Sequence, residues 1–269
     1  MMKGRLIFLF FLVWGLTHFA QQKTDRFTLS KISTVLLDHE ISDFDPALLD
    51  RPYTYLGKGG QSYVFVSEDG DYVLKAFRSS RLQILELLSL LPHFEKKKHH
   101  LEQQIKETLK SYALAFEKLS EETGLVAIHL DNHKQIHTPL KIIDKLGICH
   151  TMDPNLISFV IQKKAVLVKD KIAVDADAAK EHLASLFSLL KTRIEKGIED
   201  ADPNFAKNFG FVGNRAVQID GGRFFLCESP SKAYIEKAKI DLQHWINANY
   251  PALSEDFHTL YEAFCDETF

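Results

Sequence analysis

The sequence predicts an α+β fold in two lobes: an antiparallel sheet with one packed helix, followed by a smaller and mostly helical lobe. Three observations carry that expectation. Residues 53–77 hold three short runs rich in β-branched and aromatic side chains, separated by glycine-bearing turns. Leu101, Ile105, Leu109, Tyr112, Phe116 and Leu119 fall on one face of a helix. Beyond residue 178, helical periodicity dominates and is interrupted by one short hairpin around Gly213-Asn214.

The elements follow in order. Lys3 and Arg5 precede residues 6–20, which carry no charge, and this is the layout of a secretory signal peptide. Fifteen uncharged residues fall short of the ~20 apolar residues that span a bilayer. Cleavage near Ala20, and hence export to a secreted, periplasmic or lumenal location, is the reading adopted for residues 1–20. An uncleaved N-terminal anchor is the alternative, because His18 occupies a position where signal peptides place a small residue. Residues 21–50 read as an N-terminal extension with a short apolar run at 33–37 and a turn at Asp45-Pro46.

Residues 51–165 form the expected first lobe. Strands at 53–56, 62–66 and 72–77 make an antiparallel meander, with Glu68-Asp69-Gly70-Asp71 as the turn between the last two. Leucines at helical spacing predict a helix over 79–91, which Pro92 breaks. A charged stretch at 95–100 leads into the second helix, and Gly124 ends it. Strands are expected at 125–130, 140–148 and 157–161. Residues 166–269 form the second lobe: a helix over 178–198 with Asp175 or Asp177 near its start, strands at 209–212 and 216–219, and helices over 231–248 and 253–265.

Composition bounds function. A chain of 269 residues that is 45% apolar buries a substantial core and is not disordered. Its 33 basic and 36 acidic residues give a formal charge of −3, with no basic excess to suggest nucleic acid. Cys149, Cys227 and Cys265 have neither CxxC pairing nor metal-ligand spacing, so they are ordinary cysteines or supply a single bridge. His129, His133 and His137 recur every fourth residue, but Asp131-Asn132 disfavours a helix there, so they read as surface or turn histidines. His99-His100 continue a lysine run as a solvated helix start.

The chemistry concentrates in two segments. In Tyr55-Leu56-Gly57-Lys58-Gly59-Gly60-Gln61-Ser62-Tyr63-Val64-Phe65, small residues let a hairpin backbone lie against phosphate oxygens. Lys75, on the strand after the hairpin, is flanked by Val73, Leu74, Ala76 and Phe77, an apolar setting in which an unpaired ammonium is costly. Far downstream, Asn208 precedes an apolar strand whose hairpin partner closes on Asp220-Gly221-Gly222. An amide oxygen and a carboxylate at adjacent strand ends can meet one Mg²⁺. The plainer alternative is an acidic loop whose Asn and Asp side chains satisfy turn backbones.

In that order, from about residue 49 to 225, these residues resemble the protein-kinase-like superfamily. The resemblance implies Mg²⁺ and ATP in a cleft between lobes. Gly57, Gly59, Gly60 and Ser62 would cover the phosphates, Lys75 would hold them, Asn208 and Asp220 would bind the metal, and Asp202 would orient an acceptor hydroxyl. An acidic residue of the following helix would pair with Lys75, and Glu95, Glu102 and Glu107 all remain open for that role.

The chain also departs from the pattern. There is no His-Arg-Asp, Asp202 lies six positions before Asn208 where the pattern has five, and Asp200 rivals it for the role. Gly221-Gly222 replaces Phe-Gly, and the 49 residues after Asp220 are few for an activation segment and a full helical lobe. The expected function is nucleotide binding with phosphoryl transfer to an unknown protein or small-molecule acceptor. The alternatives are an exported pseudokinase or interaction module without catalysis, or a secreted α+β binding protein in which the motif matches are coincidental. Contact with a membrane is expected only through an uncleaved N-terminal segment.

Overall fold

A computed structural model describes residues 2–32, 37, 42–79, 92–131 and 133–269. The helix expected over 79–91 therefore lies outside the described residues apart from Ser79, as does the run at 33–37 apart from Leu37. In chain order the structure contains α1 (Met2–Lys23), β1 (Tyr53–Lys58), β2 (Ser62–Ser67), β3 (Tyr72–Phe77), α2 (Pro92–Thr123), β4 (Leu125–His129), β5 (Leu140–Ile143), β6 (Cys149–Met152), β7 (Phe159–Lys163) and β8 (Val166–Leu167). It continues with α3 (Val168–Val174), α4 (Ala179–Glu195), β9 (Ile198–Asp200), β10 (Phe209–Val212), β11 (Arg215–Gln218), β12 (Phe224–Leu226), α5 (Lys232–Asn249) and α6 (Ser254–Thr268). The fold is α+β, and the chain divides into two compact units, Met1–Glu102 with His129–Phe159 and Gln103–Ile128 with Val160–Phe269.

In the first unit the strands run in the order β3-β2-β1-β5-β6. β1 pairs β2 and β2 pairs β3 antiparallel, which is the meander expected from the turns. β1 pairs β5 in parallel, Tyr53 opposite Ile142, so the sheet is mixed rather than antiparallel throughout. A parallel neighbour needs a long crossover, and the residues between β1 and β5 supply it.

The single strand expected over 140–148 is instead a hairpin. Asp144 Oδ1 accepts from the backbone N–H groups of Leu146 (2.8 Å) and Ile148 (3.0 Å), and Gly147 sits at φ 82°, so the chain turns back into β6. The extension at 21–50 contributes to the core through Phe27, Ile32, Phe44 and Leu49, all buried. Phe27 meets the rings of Tyr63 and Phe65 edge-on, with centroids 5.0 and 5.5 Å apart.

His129 corrects the surface reading of the histidines. It ends β4 fully buried against the Phe159 ring, its Nδ1 lies 3.3 Å from Ser42 Oγ, and burial lowers its pKa despite the carboxylates of Asp131 and Asp153. Among the described residues no group of three or more His, Cys, Asp or Glu is placed to hold a metal. The three cysteines are free thiols.

α2 starts in the first unit and continues into the second: Pro92 opens it and the charged stretch at 95–100 forms its first turns, since a helix's first residue needs no N–H partner. The expected stripe of α2 buries Leu109, Tyr112 and Leu119, and Gly124 at φ 68° terminates the helix. The helix expected over 178–198 is α4, ended by Gly197 at φ 69° and preceded by the separate short helix α3. Leu183, Leu186, Phe187 and Leu190 of α4 share one core with Phe205, Phe209, Phe257, Tyr261 and Phe264. β10 pairs with both β11 and β8, while β9 pairs antiparallel with β12.

Candidate functional site

The first unit carries the glycine-rich hairpin and Lys75. The backbone N–H of Gly59 donates to the Ser62 carbonyl (2.9 Å) to close the turn, and a bulge at Leu56 shifts the β1–β2 register just before it. A Cβ added at Gly57 or Gly60 would meet nothing within 4 Å, and at Gly59 only Ser62 at 3.8 Å. None of the three has positive φ, so open space beside the backbone, rather than a backbone conformation reserved for glycine, distinguishes them. Lys75 lies opposite Val64 in the β2–β3 ladder and is only 9% exposed, the apolar strand position the sequence indicated. Of the acids considered as its partner, Glu102 is half-buried with Lys98 Nζ 3.8 Å from its Oε1, and Glu95 and Glu107 are exposed.

The second unit carries Asp202, Asn208 and Asp220, and it brings them together. Phe209 pairs with Gln218, and the ladder extends one step further because the N–H of Ile219 donates to the Asn208 carbonyl (2.8 Å). Asn208 and Asp220 thus sit at adjacent strand ends. Asn208 Nδ2 donates to the Asp202 carbonyl (2.9 Å), which fixes the loop between Asp202 and β10, and the amide Oδ1 is unengaged among the described residues. Asp220 Oδ1 accepts from the Gly222 N–H (3.2 Å) and the Tyr112 hydroxyl (3.4 Å), and its Oδ2 has no hydrogen bond among the described residues.

Part of the turn-capping alternative is therefore realised on one oxygen of Asp220, while one oxygen on each residue stays available. Two oxygen donors on a carboxylate and an amide suit Mg²⁺, which takes one or two protein ligands and completes its shell with phosphate and water.

α2 holds the turn after Asp220. The Ser111 hydroxyl donates to the Gly221 carbonyl (2.5 Å) and accepts from the Phe224 N–H (2.6 Å). A Cβ at Gly221 would lie 3.1 Å from the Phe224 ring, so this turn is packed to glycine dimensions. Burial, followed by the charge of Asp220, raises the Tyr112 pKa well above the tyrosine range, which keeps its hydroxyl a neutral donor.

Asp200 and Asp202 take different positions. Asp202 is exposed, with Arg223 Nη1 3.7 Å from its Oδ2. Asp200 is buried on β9, where its Oδ1 accepts from the Asp202 N–H (2.9 Å) and its Oδ2 from Gln218 Nε2 (2.6 Å). Burial raises the Asp200 pKa, opposed chiefly by the Arg193 guanidinium.

Arg193, fully buried on α4, donates from Nη1 to Gln218 Oε1 and lies over the Phe224 ring at 5.9 Å. Gln218 Nε2 also reaches the Asp220 carbonyl (3.3 Å), so one amide links Arg193, Asp200 and the turn that bears Asp220. The sequence reading did not include Arg193 or Gln218. The signal was present: Leu186, Leu190 and Arg193 lie at i, i+4 and i+7, which sets a charge on an apolar stripe.

No protein-family model and no curated protein matches the chain. Among solved structures, the bifunctional kinase-methyltransferase WbdD aligns at a TM-score of 0.39 and 16% identity over 75% of this chain and 43% of its own. WbdD with the kinase inhibitor LY294002 aligns at 0.39 and 14% over 79% of this chain and 45% of its own. Rv3197 from Mycobacterium tuberculosis, in complex with erythromycin, aligns at 0.35 and 13% over 78% and 55%. The chain spans less than half the length of WbdD.

Proposed function

We propose that this chain is a kinase-like protein that binds ATP with Mg²⁺ and transfers the γ-phosphoryl group to an acceptor of unknown identity. The observation that carries the proposal is the juxtaposition of Asn208 and Asp220, tied by the Ile219–Asn208 hydrogen bond, each with an uncommitted oxygen. In this reading Asn208 and Asp220 hold Mg²⁺, which neutralises charge on the phosphates. Gly57, Gly59, Gly60 and Ser62 present backbone N–H groups to the phosphates, and the Lys75 ammonium holds them. Asp202 is the acid that receives the acceptor hydroxyl proton, because Asp200 has both carboxylate oxygens committed inside the unit. For localisation we propose export after cleavage near Ala20, or retention through the N-terminal segment.

A second reading, binding without transfer, is favoured by the same loop. Asp202 has Arg223 beside it and stands one residue further from Asn208 than the kinase pattern requires. Calorimetric titration of ATP, with and without Mg²⁺, tests the binding step. Asp220→Ala should abolish the Mg²⁺-dependent part of binding, and unchanged binding would sink the metal assignment. Asp202→Asn should keep binding and reduce any phosphoryl transfer or ATP hydrolysis by about 10²-fold or more. A parent that binds Mg·ATP but turns over no faster than this variant is a pseudokinase.

A further inference from the structure

On the first unit, a second charged region lies on the sheet face opposite Lys75. Side chains alternate along β3, so Leu74, Ala76 and the following Arg78 share one face and Lys75 the other. Arg78 packs its guanidinium over the Tyr63 ring at 5.0 Å and donates from Nη1 to the Gly59 carbonyl (3.3 Å), and its buried Nε has no partner. The segment that leaves α1 crosses this face. The Tyr63 hydroxyl donates to the Arg26 carbonyl (3.0 Å), Lys31 Nζ donates to the same carbonyl, and Lys58 Nζ reaches the Asp25 carbonyl (3.4 Å).

Four cations, Arg26, Lys31, Lys58 and Arg78, lie near one another, and backbone carbonyls rather than carboxylates receive the hydrogen bonds of Lys31, Lys58 and Arg78. The acid beside them, Asp25, already accepts from Lys145 Nζ (2.8 Å) and the Tyr55 hydroxyl (3.1 Å). Burial and the like charges of Arg78, Arg26 and Lys58 together lower the pKa of Lys31, so an anion here would relieve repulsion.

An independent observation adjoins the cluster. α1 ends at Lys23, three residues before Arg26, and its side chains from Phe11 to Phe19 are exposed: Phe11, Leu12, Trp14, Leu16 and Phe19 are each between 46% and 61% accessible. An apolar helical stretch that is exposed at every position from Phe11 to Phe19 is far from its preferred environment. At about 1.5 Å per residue the uncharged stretch is ~22 Å long, short of a ~30 Å hydrocarbon core. Among the described residues no helix is long and apolar enough to cross a membrane.

We propose that the chain that keeps residues 1–20, the retained alternative above, docks its first unit on an anionic phospholipid surface, α1 entering the acyl boundary of one leaflet while Arg26, Lys31, Lys58 and Arg78 contact headgroup phosphates. An apolar segment and a basic patch are the two signals that stable interfacial anchoring takes, each being marginal alone. The charge complementarity selects a bilayer over a second copy of this chain, whose matching face would bring the same four cations together. This inference uses neither Lys75 nor the second unit, but Lys58 and Arg78 adjoin the glycine-rich hairpin of the nucleotide reading, so the two are tested side by side.

The test is flotation of the full chain with vesicles of phosphatidylcholine alone and of phosphatidylcholine containing phosphatidylglycerol. The parent is expected to float with the anionic vesicles and much less with the neutral ones, and to be released as salt is raised. Arg26→Gln and Lys58→Gln, both at exposed positions, should each weaken partition into anionic vesicles about five-fold. Trp14→Asp should weaken it to both compositions. Equal flotation with neutral and anionic vesicles, unchanged partition of the two charge variants, or a parent that stays with the aqueous phase as a monomer or oligomer overturns the proposal. Calorimetry with Mg·ATP on the same samples reports the nucleotide reading separately.

Discussion

Arg193 is a fully buried guanidinium whose Nε finds no acceptor, held by the Gln218 amide and by the charge of Asp200. Burial lowers its pKa while Asp200 and Glu199 oppose the shift, and Asp200 shows the converse, raised by burial and lowered chiefly by Arg193. Each charge is tolerable because the other is present. Arg193→Met is therefore expected to destabilise by about 3–5 kcal/mol in urea unfolding, and Asp200→Asn in the same background should restore part of that loss. The pH dependence has a definite sign. A carboxyl group whose folded pKa exceeds its unfolded one costs stability at neutral pH, and that cost is relieved as pH falls through the folded value toward 3.8. Removing Arg193 enlarges the cost, so the gap between parent and variant should narrow on acidification, and a gap independent of pH would show the two groups uncoupled. At this scale the strand positions of Lys75, Asn208 and Asp220 are legible, because a polar residue interrupts or ends an apolar strand. Arg193 and Gln218 were harder to read, because what joins them to Asp200 is contact across 18 and 25 residues of chain, which no local pattern encodes.

β10 carries Asn208 at its entrance and is squeezed between two neighbours. A Cβ at Gly210 would lie 2.6 Å from the Val166 carbonyl oxygen, well inside contact distance, so β8 can pair with β10 only while residue 210 is glycine. Gly210→Ala is expected to cost about 1–3 kcal/mol and, by pushing β8 off or tilting β10, to weaken Mg²⁺-dependent nucleotide binding as well. Gly213→Ala, at φ 63° with open space around it, should cost about 1 kcal/mol of stability with binding retained. Equal binding defects in the two variants, measured by the same titration, would show that β10 does not position Asn208 in the way argued. Elements with many periods were readable: α2, α4, α5 and α6, and the β2–β3 and β10–β11 hairpins, come from stripes, alternation and turn glycines. β9 and β12, three residues each, were not, because Ile198-Glu199-Asp200 shows no alternation and becomes a strand only by pairing with residues 224–226. The break of 140–148 into β5 and β6 depends on the Asp144 side chain capping a turn inside what reads as one apolar run.

For the molecule as a whole, a ligand that binds only the folded chain couples to unfolding by mass action. Mg·ATP at a hundred times its dissociation constant should stabilise the folded chain by about 2.7 kcal/mol. For a chain of this size that corresponds to a rise in melting temperature of roughly 5–10 °C. Lys75 and the hairpin belong to one unit, and Asn208 and Asp220 to the other. Under the proposed nucleotide reading, Lys75→Met and Asp220→Ala should each remove most of the rise, one through the phosphates and the other through the metal. Scanning calorimetry of parent and variants with ATP, Mg²⁺ and both together separates the outcomes. A rise that needs both ligands and vanishes in both variants supports the proposed Mg·ATP reading. A rise lost only in Lys75→Met leaves phosphate binding without the metal, and it would make the Asn208 and Asp220 pair a turn cap. A folded parent that does not shift at millimolar Mg·ATP would exclude the nucleotide clamp altogether, and the open space beside Gly57 and Gly60 would need another occupant.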